Sequence, residues 1–259
     1  MQKRTFKDQM GRQISVGKLP GRIISLVPSQ TELLFDLGLK DEVVGITKFC
    51  IHPREMFLSK TKVGGTKKLD LQKIRDLRPD LIIGNKEEND QHQILELMEE
   101  FPVWMSDIYD LNDALEMIRA IGGLCGKEET AEKIAMAIKN GFDKISTGSF
   151  EGLRVAYFIW KDPWMLAGKN TFISNILNRA GLCNATELER YPELSSDQIA
   201  YLKPDLIFLS TEPYPFKDQH IAELKKICPD AKIRRVDGEM FSWYGSRLLH
   251  TPDYLRSIL

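Results

Sequence analysis

The stretch Arg22–Gly38, RIISLVPSQTELLFDLG, decides how the rest of the chain is read. Its first half, IISLV at 23–27, is a continuous apolar run rich in β-branched residues, the pattern of a strand buried on both faces of a parallel sheet. Its second half reads as a helix. Ser29 with Glu32 three residues later makes a capping-box pattern, Leu33, Leu34 and Leu37 point inward, and Gly38 stands where a left-handed C-terminal cap is wanted. Strand, turn and helix are half of a βαβ unit. In open α/β sheets ligands lie beyond the carboxyl ends of the strands, where helix N-termini present free N–H groups. The turn at Pro28 and Ser29 is therefore expected to form one wall of a binding cleft.

Working outward, the theme repeats. VVGI at 43–46, DLIIG at 80–84 and PVWMS at 102–106 read as strands, with helical segments between them, so residues 1–109 are expected to form a doubly wound α/β lobe. Residues 110–150 read as linker helices with a break near Gly122, Gly123 and Gly126, the second helix being long and stiff. From 151 to 259 the pattern returns as RVAYFIW, TFISNILNRAG, SSDQIAYLKPDLIFLS and KIRRVD. LRPDLII is echoed by LKPDLIF, Pro79 answering Pro204, and Arg22 is echoed by Arg154. An internal duplication explains both echoes together with the helix-capping pattern before each junction. A common helix-to-strand junction explains the proline alone. The expected fold is α/β, with two similar doubly wound lobes, a long rigid joining helix and a ligand cleft between the lobes.

Lys and Arg number 36 against 37 Asp and Glu, a net charge of -1, so no global field draws the chain to nucleic acid or to an anionic membrane. No apolar run approaches the ~20 residues of a membrane span. The N-terminus lacks the apolar stretch and cleavage site of an export signal, so the chain as written reads as cytoplasmic, and as periplasmic if such a signal has been removed. Cys50, Cys125, Cys183 and Cys228 form no C-x-x-C pair and are expected to be reduced.

The strand-end loops carry the candidate site: Phe49, His52, Thr66 and Asn85 in the first lobe, and Trp160, Trp164, Tyr214, Phe241, Trp243 and Tyr244 in the second. Aromatic side chains offer flat contact area with little entropy to lose, which suits a large planar ligand, although each could equally fill the core beneath the loops. A dinucleotide fingerprint is absent after the first strand, GGLCGKEE fails as a phosphate loop, and no G-x-S-x-G elbow occurs. His92 and His220 lie in charged stretches and are expected to be solvated. Alternation along Cys50-Ile51-His52 is expected to put Cys50 and His52 on one side. A single histidine can complete the coordination of a metal already held by an organic chelate, but cannot hold a bare ion. A Cys50 nucleophile with His52 as base is the catalytic alternative, and it lacks an orienting acid.

These segments, with VGGTKKLDLQKIRDLRPDLIIG, MLAGKNTFISNILNRAGLCN and MFSWYGSRLL, resemble the periplasmic substrate-binding proteins with a helical backbone that serve ABC importers of cobalamin, haem and ferric siderophores, the cobalamin-binding branch above all. The resemblance implies a non-catalytic receptor with no intrinsic cofactor, whose ligand is a cobalt or iron complex. It implies that Phe49, His52, Thr66, Asn85, Trp164 and the Met240–Tyr244 segment line the site, and with the strand-end reading the expected ligand contacts are Pro28, Ser29, Phe49, His52, Thr66, Asn85, Trp160, Trp164, Tyr214, Phe241, Trp243, Tyr244 and Arg247. Thr66 and Asn85 stand where cobalamin binders carry aromatic residues against the corrin. The family docks on an ABC permease through one exposed glutamate per lobe, and the alignment puts these positions at Gln72 and Ser242, neither of them acidic. The alternative is a cytoplasmic carrier, sensor or enzyme built on the same fold.

Overall fold

Isoleucines 23 and 24 and Ser25 form a strand at the middle of a five-stranded parallel sheet in the computed structural model, which describes residues 4–17, 19–145 and 150–259. The chain divides into two units: Met1–Ile108 with Asn112–Lys139 and Tyr244–Leu249, and Tyr109–Leu111 with Asn140–Trp243 and His250–Leu259. Each is an α/β unit.

The first unit opens with an antiparallel hairpin, β1 (Arg4–Lys7) and β2 (Gln13–Val16), which hydropathy did not reveal because both strands are short and half-polar. The parallel sheet follows: β3 (Ile23–Ser25), α1 (Pro28–Asp36), β4 (Val43–Ile46), α2 (Arg54–Ser59), β5 (Thr61–Lys62), α3 (Leu71–Leu77), β6 (Leu81–Asn85), α4 (Gln91–Met98) and β7 (Val103–Ser106). The strand order is β5-β4-β3-β6-β7. Winding runs outward from β3 to β5 and then resumes on the other side with β6. The reversal lies between β3 and β6, the switch point outside whose carboxyl ends open α/β sheets bind their ligands.

Helix α1 begins earlier than its sequence suggests. Val27 is the N-cap, with extended backbone and no side-chain cap, and Pro28 takes the first helical turn. A proline there forfeits no hydrogen bond and its ring already holds the helical φ. The expected capping box at Ser29 therefore does not form. Glu32 instead receives Arg247, Nε to Oε2 at 2.9 Å and Nη2 to Oε1 at 2.6 Å.

Helices α5 (Leu111–Cys125) and α6 (Glu128–Asp143) are separated at Gly126, φ +69°. Gly122 is not part of the break. It lies inside α5, where an added Cβ would stand 2.3 Å from the Ala131 methyl of α6, so glycine lets the two helices touch.

The second unit contains β8 (Arg154–Trp160), β9 (Trp164–Leu166), α7 (Phe172–Arg179), β10 (Cys183–Asn184), β11 (Glu193–Leu194), α8 (Ser196–Leu202), β12 (Leu206–Ser210), α9 (Asp218–Ile227), β13 (Lys232–Val236), α10 (Glu239–Ser242) and α11 (Thr251–Ile258). The sheet order is β11-β9-β8-β12-β13, with β10 beside the start of β8. The second unit departs here from the direct strand-to-helix succession that RVAYFIW and TFISNILNRAG suggest. Lys161, Asp162 and Pro163 do not lead from a strand to a helix. They turn β8 back into the antiparallel strand β9, and Trp164 is its first residue.

The echoed junctions share their geometry. In the first unit Asp70 caps α3, Arg78 ends it in the left-handed region at φ 45°, and Asp80 accepts from the backbone N of Arg22, whose guanidinium donates to Leu77 O. In the second Ser195 caps α8, Lys203 ends it at φ 45°, and Asp205 accepts from the backbone N of Arg154, whose guanidinium donates to Leu202 O.

Candidate functional site

At the carboxyl ends of the first unit's strands the side chains form a buried amide and hydroxyl layer. Asn85, at the end of β6, donates to Ser106 Oγ at 2.9 Å, and its own oxygen accepts from the backbone N of Glu87 and of Glu88. Gln30 of α1 donates to the same Ser106 Oγ at 2.7 Å. Asn89 accepts from Asn85 N at 2.8 Å and reaches Thr66 O at 3.1 Å. Gly84 makes room for it, since a Cβ there would sit 2.7 Å from Asn89 Oδ1. This layer satisfies the loop backbones from below and holds them in place.

Above that layer the loop after β4 turns its side chains alternately in and out. Ile51 N donates to Phe49 O at 2.8 Å, a three-residue turn. Cys50 consequently points inward and is fully buried, its Sγ 3.1 Å from both Thr31 Oγ1 and Thr47 Oγ1. Phe49 and Ile51 point outward, with Phe49 50% exposed. The extended alternation that would align Cys50 with His52 does not occur: His52 is half-buried on the same loop. Burial raises the Cys50 thiol above its ordinary pKa despite the two threonine hydrogen bonds, which leaves it a poor nucleophile.

The second unit fills the corresponding level with rings. Phe158 meets Trp164 edge-on at 5.4 Å, Trp164 stacks on Phe216 at 6.4 Å, and Tyr214 meets Phe216 at 4.8 Å. Lys161 sits 4.0 Å over the Trp164 ring and pairs with Glu223. Trp160, 40% exposed, stands at the edge of this cluster, T-shaped against Tyr214 at 5.3 Å. His220 is buried rather than solvated: its Nδ1 accepts from Lys217 N at 2.8 Å, and it packs against Tyr214 and Phe216.

The residues named from sequence therefore separate into two groups. Phe49, His52, Thr66 and Tyr214 on strand-end loops, Trp160 at the end of β8 and Pro28 at the start of α1 keep exposed or half-exposed surface. Ser29, Asn85, Trp164, Phe241, Trp243 and Tyr244 are buried. Phe241 has no exposed surface and lies 5.0 Å from Tyr157. Trp243 Nε1 donates to Glu212 at 2.9 Å. Arg247 is committed to Glu32. Their surface is taken up within the fold here, a role that amphipathic ring and amide side chains fill as readily as ligand contact. Ile51 is exposed beside Phe49, and its outward aim depends on the tight turn, which no pattern in the sequence announces.

Within the repeat Asp70 matches Ser195 and Arg78 matches Lys203, so the position in α8 equivalent to Gln72 of α3 is Asp197, in the exposed first turn of that helix. Ser242 is half-buried and donates to Glu212. Gln72 is exposed and donates to Asp76 at 2.9 Å.

A groove of about 720 Å³ occurs elsewhere, at the amino ends of β8, β12 and β13 around Leu153, Leu206 and Lys232. It is at the opposite end of that sheet from the aromatic loops. Among the described residues no group of three or more histidine, cysteine or acidic side chains could hold a metal ion, and no helix is long and apolar enough to cross a membrane.

A family model described as periplasmic binding protein matches residues 23–229. An uncharacterized ABC transporter substrate-binding lipoprotein of Bacillus subtilis, YvrC, is 26% identical over 216 residues, 78% of this chain and 68% of its own length. A vitamin B12-binding protein of Vibrio cholerae is 26% identical over 194 residues, 73% of this chain and 70% of its own. The solved structure of the periplasmic vitamin B12-binding protein BtuF of Vibrio cholerae superposes with a TM-score of 0.77 at 22% identity, over 92% of this chain and 98% of that one. A possible iron-binding periplasmic solute-binding protein from Staphylococcus epidermidis gives 0.78 at 24% identity, over 93% and 98%. With most of its length matched and both α/β units in place, the chain belongs to the periplasmic binding protein family.

Proposed function

We propose that this protein is the substrate-binding component of an ABC importer and takes a flat metal-organic chelate: a corrinoid, a tetrapyrrole or a ferric chelate. One observation carries the reading. Large apolar side chains that a monomer ordinarily buries, Phe49 and Ile51 on the loop after β4 of one unit and Trp160 at the end of β8 in the other, are held exposed. The Phe49 ring rests against Gly65, where a Cβ would come within 3.0 Å of it. Preorganised, exposed rings of this kind supply contact area without an ordering cost. Relatives named for vitamin B12 binding support the ligand class. His52, half-buried on the same loop, is the side chain that would complete the coordination of a chelated metal.

The test is a titration of the full chain with cyanocobalamin, haemin and a ferric siderophore, followed by tryptophan emission. At least one is expected to bind at micromolar concentration or below, and Phe49→Ala to weaken it about tenfold, the loss of roughly 1.4 kcal/mol. Absence of binding below the millimolar range for all three sinks the reading. Transport assays address the permease. Asp197→Ala is expected to reduce ligand delivery while leaving ligand affinity unchanged. Fractionation of cells is expected to find the protein outside the cytoplasm, and a purely cytoplasmic location would favour a carrier or sensor on the same fold.

A further inference from the structure

Resting on the reading above, the geometry points to a narrower ligand class: we infer that Lys48 selects chelates carrying a free carboxylate or another anionic group at the rim, over neutral ones. Lys48 directly precedes the exposed Phe49, and its ammonium sits 5.1 Å from the centroid of that ring. Its side chain passes the same glycine that lies beside the ring, since a Cβ on Gly65 would stand 3.4 Å from Lys48 Cε. Lys48 N donates to Gly64 O at 2.8 Å, which fixes the backbone from which the side chain departs.

Of the other cations at this end of the sheet Lys62, Lys67 and Lys86 are committed, while Lys68, three residues beyond Gly65, is exposed. Lys86 pairs with Asp107 at 2.7 Å, Lys67 donates to Glu87 O, and Lys62 donates to Phe57 O and Lys60 O. Among the described residues Lys48 meets no carboxylate and no carbonyl with its ammonium; the ring is its contact. Glu55, the one acid on the segment from Lys48 to Lys62, is taken by Lys40 at 2.6 Å. Arg54 adds a second exposed positive charge to the same loop and helix. An exposed aromatic surface with an uncompensated cation at its margin recognises a planar body with an anionic edge: the body lies against Phe49, and the ammonium exchanges the ring for a charge-assisted hydrogen bond. Around its ring a cobalamin carries amides where haemin carries carboxylates, and its one anionic group, a phosphodiester, lies on the nucleotide loop away from the ring edge.

The experiment compares three probes on the full chain, haemin with its two free carboxylates, its neutral dimethyl ester, and cyanocobalamin. The wild type is expected to bind haemin about tenfold more tightly than the ester, in keeping with a charge-assisted hydrogen bond. Lys48→Gln should erase that difference, Lys48→Arg should keep it, and rising salt should weaken haemin binding by the wild type more than by the Gln variant. Equal affinity for haemin and its ester, or a preference surviving in Lys48→Gln, overturns the assignment while the receptor reading stands. Binding of cyanocobalamin alone does the same. Failure of all three probes removes the receptor reading and this inference with it. Unchanged thermal unfolding of the Gln variant separates lost recognition from lost structure.

Discussion

Set side by side, β6 of the first unit and β12 of the second show one backbone solution serving two kinds of core. Both strands start from a left-handed helix end and an aspartate that caps a neighbouring strand. Where β6 carries Ile83-Gly84-Asn85, β12 carries Phe208-Leu209-Ser210. Gly84 yields space to the Asn89 amide, and Asn85 ties two loops together. In the second unit the same level is carbon: Phe208 packs against Tyr157 and Phe241, and Ser210 merely accepts from Tyr157 and donates to Glu212 O. The junction geometry tolerates either filling because it is made of backbone hydrogen bonds. The consequence is functional. A polar layer can fix loops that stay open to solvent, whereas a ring cluster fixes them by excluding it.

Thiol chemistry offers the largest contrast. Cys50 and Cys125 of the first unit are buried, Cys125 being pushed up to about 12 chiefly by burial, while Cys183 of the second is exposed. Under native conditions Cys183 should be alkylated at least a thousandfold faster than Cys50, since the buried thiol reacts only through opening events of several kcal/mol. Mass-spectrometric mapping of the labelled cysteines checks this, and comparable rates would mean that the first unit's loops are not held as described.

Next in size is a matched pair of substitutions. Phe208→Ala should cost about 3–5 kcal/mol, the transfer and cavity terms of a buried ring. Asn85→Ala should cost about 1–3 kcal/mol, the desolvation of partners left without their bonds. Urea unfolding of the two variants measures both. If Asn85→Ala matches or exceeds Phe208→Ala, the amide layer is cooperative beyond its pairwise bonds.

Smallest is a difference in acid response. The first unit caps α3 and α4 with Asp70 and Asp90, and the second caps α7 and α8 with Thr171 and Ser195. Both aspartates lie below their ordinary 3.8, chiefly because the backbone N–H groups of Lys73 and Gln93 hydrogen-bond the ionised form. A carboxylate depressed in the folded state stabilises above its unfolded pKa, and that stabilisation is lost as the pH falls through the folded pKa. Hydrogen exchange below pH 4 should therefore loosen the Lys73 and Gln93 amides before those of Ser174 and Gln198. Asp70→Ser and Asp90→Ser should abolish the difference.

Much of the fold was legible because its signals are local. A β-branched run, a proline at a helix end and a capping residue act over a few positions, and the paired junctions at Pro79 and Pro204 carried enough of them to expose the repeat. The site was legible only as a set of loops. Phe49 stands exposed on one of them and Trp160 at the end of β8, yet Phe241 and Asn85 sit on strand-end segments too and face inward.

By itself the sequence determined the α/β class, the two echoing halves and the absence of a long apolar span, since periodicity, caps and composition are properties of adjacent residues. Only the tertiary structure decided that Pro28 rather than Ser29 opens α1, that Trp164 belongs to a strand, and which rings meet solvent. Those outcomes depend on contacts such as Glu32 with Arg247, more than two hundred residues apart. The aim of a side chain is fixed by what packs beneath it, and a one-dimensional pattern does not contain that neighbour.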